Sequence, residues 1–359
     1  MCIRDSYYGL DLLHPTFFLP AGLVLCSLMS LATGTAWGTI ATIGVVLMGL
    51  GSVLGIPLPI VVGMVVSGAS FGDKMSPVSD TTNLAAMSAD TDLYAHIKSM
   101  LYTTVPTYII SLIAFMLVGL YYTGQTLSAQ EILTLSQHLE IEFAISPLTL
   151  LPLIVLLVLS LKRTPAEAST LASVATAVVL AVATQDRAIT EVLNSLHTGY
   201  VADTGLEQLD TLLSRGGITS MMWTMSLALI ALSLGGILDR AGFVRVLLRG
   251  VLKRIKRSAS LMATTIGTGV IANMSMGEGY LSIIFGGQIF KESYEEDRLE
   301  KHMLSRCLEE GATLSTSLIP WTTSGAFITG ALGMSPLEFA PWAFFNYINP
   351  LLSLSLIHI

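Results

Sequence analysis

Long apolar runs recur along this chain, and they decide what it can fold into. They lie near 16–32, 39–55, 57–68, 96–121, 145–161, 167–184, 218–238, 259–275, 279–290, 312–332 and 337–356. Hydrophobic residues make up 52% of the sequence and charged residues only 12%, where an average soluble domain carries about 25% charge. Such a composition predicts an all-α polytopic membrane protein. A helix crossing about 30 Å of hydrocarbon needs roughly 20 residues, so 57–68 and 279–290 are read as half-helices or hairpin arms. Non-helical backbone at that depth persists only where protein or a water-filled cavity surrounds it.

Charge sets the orientation. The stretch RAGFVRVLLRGVLKRIKR, residues 240–257, is basic and amphipathic and is expected at the cytoplasmic surface, where it would anchor on membrane lipid. Beyond the arms 259–275 and 279–290 follows KESYEEDRLEKHMLSR, again rich in Lys and Arg. Both flanks then face one side, and the two arms read as a re-entrant hairpin. Lys162 and Arg163 fall inside, while the 122–146 loop has no Lys or Arg. With one crossing assigned to 57–92 the positive-inside rule holds throughout. The net charge of −7 comes mostly from loop acids, and no basic array suggests nucleic acid. Cys2, Cys26 and Cys307 have neither disulfide nor zinc spacing. The ends, MCIRDS at 1–6 and residues 353–359, resemble translated read-through, so the native protein is expected to begin before Tyr7 and to continue past about Leu352.

One ungapped offset relates two parts of the chain. Gly34 and Gly277, Gly68 and Gly311, and Pro77 and Pro320 are each 243 residues apart. In that register TGTAWGT (33–39) falls on MGEGYLS, and GASFGDKMSPVSDTTNLA (68–85) falls on GATLSTSLIPWTTSGAFI. Five crossings are counted between the unit starts near 16 and 259, an odd number, so the second unit should enter from the opposite face as an inverted-topology repeat with broken helices meeting at the midplane. The expected organisation is a first repeat over 7–121 (hairpin 16–55, broken helix 57–92, helix 96–121), connecting helices and the basic segment over 122–257, and a second repeat over 258–352 (hairpin 259–290, broken helix 304–332, helix 337–352). Residues 69–83 and 312–323 are expected to be non-helical.

The polar breaks carry the chemistry. Pro77 and Pro320 cannot donate a backbone hydrogen bond, so each frees carbonyls, and the half-helix beyond presents unpaired N–H groups. Asp80, Thr81, Thr82 and Asn83 place a carboxylate, two hydroxyls and an amide within one turn, a ligand set for a hard cation such as Na⁺ at Asp80, Thr82 and Asn83. A carboxylate at membrane depth is costly and usually functional, so Asp80 and Asp73 are also candidate proton acceptors. Local alternatives are Asp80 capping the helix that follows and Asp73 pairing with Lys74 or with a distant base. Lys74 is read as a structural counter-ion or as a contact for a substrate carboxylate. In the second break Thr322, Thr323 and Ser324 offer hydroxyls alone. Glu278, which matches Thr35 of the first hairpin tip, is expected to face the same central cavity or to cap its own helix, and Asn273 is ambiguous. Trp37 and Trp321 are read as packing or interface anchors. Glu309 and Glu310 are expected to be solvated near the cytoplasmic surface, and the histidines, His96 included, to lie in or near loops without forming a ligand cluster.

TGTAWGT, GDKMSPVSDTTNLA and LIPWTTSGAF resemble the signature segments of the NhaC-type Na⁺/H⁺ antiporters of the ion transporter superfamily, over about Tyr7 to Leu352. The match covers Gly72, Asp73, Lys74, Ser76, Pro77, Asp80, Thr81, Thr82 and Asn83, with Thr35, Trp37, Pro320, Trp321 and Thr322; Thr323 departs from the pattern, since many members carry Asn there. The resemblance implies a multi-pass protein of a bacterial inner membrane that exchanges Na⁺ for H⁺, with no cofactor beyond the transported ions. The alternative within the family is an Na⁺- or H⁺-coupled antiporter of an organic anion such as malate or lactate, or of an amino acid. A channel is disfavoured, because acids on opposed repeats suit alternating access. An enzyme is not expected, since the chain has neither a zinc motif nor a nucleophile constellation. A homo-oligomer is compatible with the sequence, which sets no oligomeric state.

Overall fold

The computed structural model describes residues 15–122, 146–162, 164, 166–185, 187–202, 210, 214, 217–242 and 257–355. Residues 123–145 of the 122–146 loop and most of the basic 240–257 segment therefore lie outside the described residues. Within them the chain is helical and has no strand. Helix α1 spans Pro15–Thr33, and α2 runs from Ala36–Thr39 through a π-helical turn, Ile40–Gly44, into Val45–Val53. Then come α3 (Leu58–Met75), α4 (Asp80–Ser88) and α5 (Leu93–Tyr122). The connecting region holds α6 (Leu151–Leu161), α7 (Ala166–Thr184), α8 (Ile189–Thr198) and α9 (Ile218–Arg240). The last third holds α10 (Ser258–Met276), α11 (Gly279–Glu296) and α12, which runs from Lys301–Leu308 through a π-helical turn, Glu309–Thr313, to Leu314–Thr316. It closes with α13 (Thr323–Leu332), α14 (Pro336–Phe339) and α15 (Phe344–Ser355). Both α3 and α5 are long and apolar enough to cross a membrane.

The 243-residue register persists in the backbone. Pro15 and Ser258, Ala36 and Gly279, Leu58 and Lys301, and Asp80 and Thr323 are pairs of helix starts. Six left-handed residues obey it too: Gly34 and Gly277, Gly55 and Arg298, Asp90 and Gly333 all have φ between 55 and 71°. Gly34 and Gly277 end α1 and α10, each amide donating back to a carbonyl in the last turn, Ser30 O at 2.8 Å and Asn273 O at 2.9 Å. That is the αL stop for which glycine has no Cβ penalty.

Two glycines set the packing. A Cβ on Gly68 of α3 would stand 2.6 Å from Leu23 O of α1, and one on Gly311 of α12 would meet Ile266 O of α10 in the equivalent place. Within a bilayer helix association rests on close van der Waals contact, and small residues permit it. Around the first contact Leu19, Leu23 and Cys26 pack with Val61, Val62, Val65, Val66 and Ala69. Around the second, Leu261, Met262 and Ile266 pack with Leu304, Leu308 and Ala312.

The breaks are shorter than the sequence suggests. Helix α3 continues to Met75, so the first interruption is 76–79 rather than 69–83, and the second is 317–322 rather than 312–323. The small residues before the first break stay helical and pack on a neighbouring helix: Gly72 lies against Ser27 O, and Ser30 Oγ donates to Ala69 O at 2.7 Å. The arm expected over 279–290 likewise extends to Glu296.

Candidate functional site

Both breaks and both hairpin tips meet at one cavity of about 210 Å³. Thr35, Trp37, Asp73, Asp80 and Thr81 line it from the first unit, and Glu278, Tyr280 and Ser324 from the second. Three carboxylates thus reach one space from three helices. Asp80 opens α4 and is exposed, with Ser79 as the N-cap, so Asp80 is not the cap that its position suggested. The half-buried Asp73 does not pair with Lys74; its Oδ1 accepts a hydrogen bond from Ser79 Oγ at 2.7 Å. Glu278 combines both roles weighed for it. Its Oε2 caps α11 by accepting from the Leu281 amide at 2.9 Å, and its Oε1 accepts from Thr323 Oγ1 at 3.4 Å beside the cavity.

The tips are capped in parallel. Thr35 Oγ1 accepts from the Gly38 amide at 3.4 Å at the start of α2, as Glu278 does at the start of α11. The second tip is also tied to its break, since the Thr323 amide donates to Gly277 O at 2.9 Å. Trp37 joins the units: its Nε1 donates to Ser324 Oγ at 3.0 Å and its ring stacks on Phe327 at 4.6 Å between centroids. Trp321 Nε1 donates to Met274 O at 2.9 Å.

Several candidates are turned to other work. Thr82 is buried and its hydroxyl donates to the carbonyls of Asp73 and Lys74 at 3.2 and 3.1 Å. Asn83 Nδ2 donates to Pro77 O at 3.0 Å and to Ser79 O at 2.7 Å, satisfying carbonyls freed by the break. Thr322 caps α13 through the Gly325 amide at 3.1 Å, and its hydroxyl donates to Thr316 O and Ile319 O. Asn273 holds α12 through Ala312 O at 2.6 Å and Ser315 Oγ at 2.8 Å. Lys74 has no exposed surface; its Nζ donates to Asn349 Oδ1 at 2.7 Å and lies 3.6 Å from Glu310 Oε1.

The sequence reading missed an acidic pair. Glu309 and Glu310 are both 0% exposed within the π-helical turn of α12, not solvated at a surface. Glu309 Oε1 accepts from Thr81 Oγ1 at 3.2 Å, and Glu310 Oε1 accepts from Thr103 Oγ1 at 2.6 Å. The available signal was the repeat register, which sets these acids on Val66 and Ser67, deep inside α3. His96 is also buried, on α5, with Nδ1 2.8 Å from Ser305 Oγ.

Comparison with known proteins shows the family. The model of the Na⁺/H⁺ antiporter family matches residues 10–82 and 68–359. The Na⁺/H⁺ antiporter NhaC of Alkalihalophilus pseudofirmus is 37% identical over 349 residues, 97% of this chain and 75% of that protein. The malate-2H⁺/Na⁺-lactate antiporter of Bacillus subtilis is 34% identical over 95% of this chain and 73% of its own length. The arginine/ornithine antiporter ArcD of Halobacterium salinarum is 35% identical over 96% of this chain and 72% of its own length. No solved structure matches. With the family model spanning nearly all of the sequence, and relatives of this identity covered over most of their length, the chain is a multi-pass membrane protein of the Na⁺/H⁺ antiporter family.

Proposed function

We propose that this protein is a secondary active transporter of a bacterial inner membrane that exchanges Na⁺ for H⁺ by alternating access. The observation that carries the reading is the cavity itself, where Asp73, Asp80 and Glu278 converge from both units while none of its lining residues is Lys or Arg. Asp80 is the exposed carboxylate and is assigned the exchange: it holds Na⁺ in one half of the cycle and a proton in the other, with Glu278 across the cavity. Oxygen-rich surroundings suit a small hard cation. The two units are read as inverted repeats whose rocking would open the cavity to alternate sides. The NhaC relatives and the bacterial origin of several relatives support this reading.

The organic-anion or amino-acid alternative needs a cation facing substrate. Lys74, the candidate for that role, is held by Glu310 and Asn349 instead. The test is Na⁺-driven proton flux in proteoliposomes holding the intact protein. Asp80→Asn should abolish it. Flux at the wild-type rate in that variant refutes the assignment of Asp80, and malate-dependent flux lost with Lys74→Ala would favour the alternative.

A further inference from the structure

A chain of hydrogen bonds leaves the cavity for the protein interior. Ser79 Oγ donates to Asp73 Oδ1 at 2.7 Å, Ser79 Oγ and Thr81 Oγ1 stand 3.1 Å apart, and Thr81 Oγ1 donates to Glu309 Oε1 at 3.2 Å. Each hydroxyl has a single proton. With both carboxylates ionised, Ser79 gives its proton to Asp73 and Thr81 gives its own to Glu309, so nothing is left to join the two hydroxyls. One added proton completes all three links. It can sit on Asp73, with every bond pointing toward Glu309, or on Glu309, with every bond pointing toward Asp73.

Charge favours the same added proton. The groups facing this chain are Asp80 on α4, Lys74 on α3, Arg306 and Glu310 on α12 and Tyr280 on α11. Lys74 lies beside Glu309 and Glu310, with Arg306 near it, while Asp73 stands at the cavity wall facing Asp80 and Glu309. Two ionised carboxylates at the ends of one short hydrogen-bond chain are expensive at this depth. One shared proton removes one of those two charges.

We propose that Ser79 and Thr81 form a two-hydroxyl relay that passes one shared proton between Asp73 at the cavity and Glu309 in the interior, making Glu309 a proton-carrying residue of the transport cycle. In one passage the O–H bond of Asp73 breaks as its proton joins Ser79 Oγ, the former Ser79 proton joins Thr81 Oγ1, and the former Thr81 proton forms the O–H bond of Glu309. Each hydroxyl ends with one proton, and the negative charge has moved from Glu309 to Asp73. The transport role rests on the antiport reading above; the shared proton does not.

Two measurements on the intact protein separate these. In proteoliposomes, Glu309→Gln and Thr81→Val should each lower Na⁺-driven proton flux by roughly tenfold or more, as expected for loss of a positioned proton-transfer group, while Thr81→Ser, which keeps the hydroxyl, should retain most of it. Infrared spectra at neutral pH should show a protonated-carboxyl band in the wild type that shifts in Thr81→Val and is altered by both Asp73→Asn and Glu309→Gln. Wild-type proton flux in Glu309→Gln or Thr81→Val overturns the relay. So does a carboxyl band unmoved by Asp73→Asn, Glu309→Gln and Thr81→Val. If the wild type moves no protons against Na⁺, the antiport reading fails, and the infrared band still decides whether Asp73 and Glu309 share a proton. The Thr81 pair keeps the test open should Glu309→Gln not fold, because Thr81 is only half-buried.

Discussion

Replacing Lys74 by Met should leave Glu310 as a buried charge without its cation. Both side chains are 0% exposed and their charged atoms stand 3.6 Å apart. Each single change leaves the remaining charge one neutral partner: Thr103, which donates to Glu310 at 2.6 Å, after Lys74→Met, and Asn349, which accepts from Lys74 at 2.7 Å, after Glu310→Gln. Removing one partner of a buried pair costs about 3–5 kcal/mol, and these residual contacts place each single variant, Lys74→Met and Glu310→Gln, near the lower end, at about 3 kcal/mol. The double variant buries no unmatched charge between these positions and should be no less stable than either single one, a coupling of about 3 kcal/mol. A double-mutant cycle of reversible unfolding in mixed detergent micelles, followed by tryptophan fluorescence, measures it. A double variant that loses the sum of the two single effects would refute the idea that these residues stabilise the protein as a pair.

Three further outcomes are expected. Arg298→Gly should raise stability by about 0.5–1 kcal/mol and Gly55→Ala should lower it by about 1–2 kcal/mol, because both positions are left-handed, with φ of 55 and 69°; unfolding midpoints report both. Gly68→Ala should cost about 1–3 kcal/mol, since its Cβ would stand 2.6 Å from Leu23 O, and a thermal melt decides it. At the surface, Lys301 at 2.7 Å and Lys291 at 3.5 Å hold the Asp90 carboxyl below its ordinary range. A lowered carboxylate contributes stability above its unfolded value, about 3.9, and loses it as pH falls through the lower folded value. Asp90→Asn should therefore melt slightly below wild type at pH 7, merge with it in strong acid, and also merge with it in high salt, where exposed pairs are screened.

Much of the architecture was legible because it is written locally or by repetition. Polar, Pro-containing interruptions at 76–79 and 317–322 stand out in an apolar chain whatever surrounds them. The 243-residue register could be read from three pairs of residues, and the helix starts and left-handed turns follow it. Of the eleven residues proposed as a group, Asp73, Asp80, Thr81, Thr35, Glu278 and Ser324 line one cavity, and Thr82, Asn83, Thr322, Thr323 and Lys74 do not. What tertiary structure alone decided is where each polar side chain finds its partner. Thr82 and Asn83 belong to the same turn as Asp80, yet both serve the freed carbonyls of the break, because helix geometry turns neighbouring residues to different faces. Glu309 and Glu310 looked like surface acids beside a charged loop, but a π-helical turn buries them against Thr81, Thr103 and Lys74, residues more than 200 positions away. Lys74, adjacent to Asp73 in sequence, pairs instead with Glu310 and Asn349. A charge at membrane depth persists only where something opposite satisfies it, and the residue that does so is set by how the two units pack.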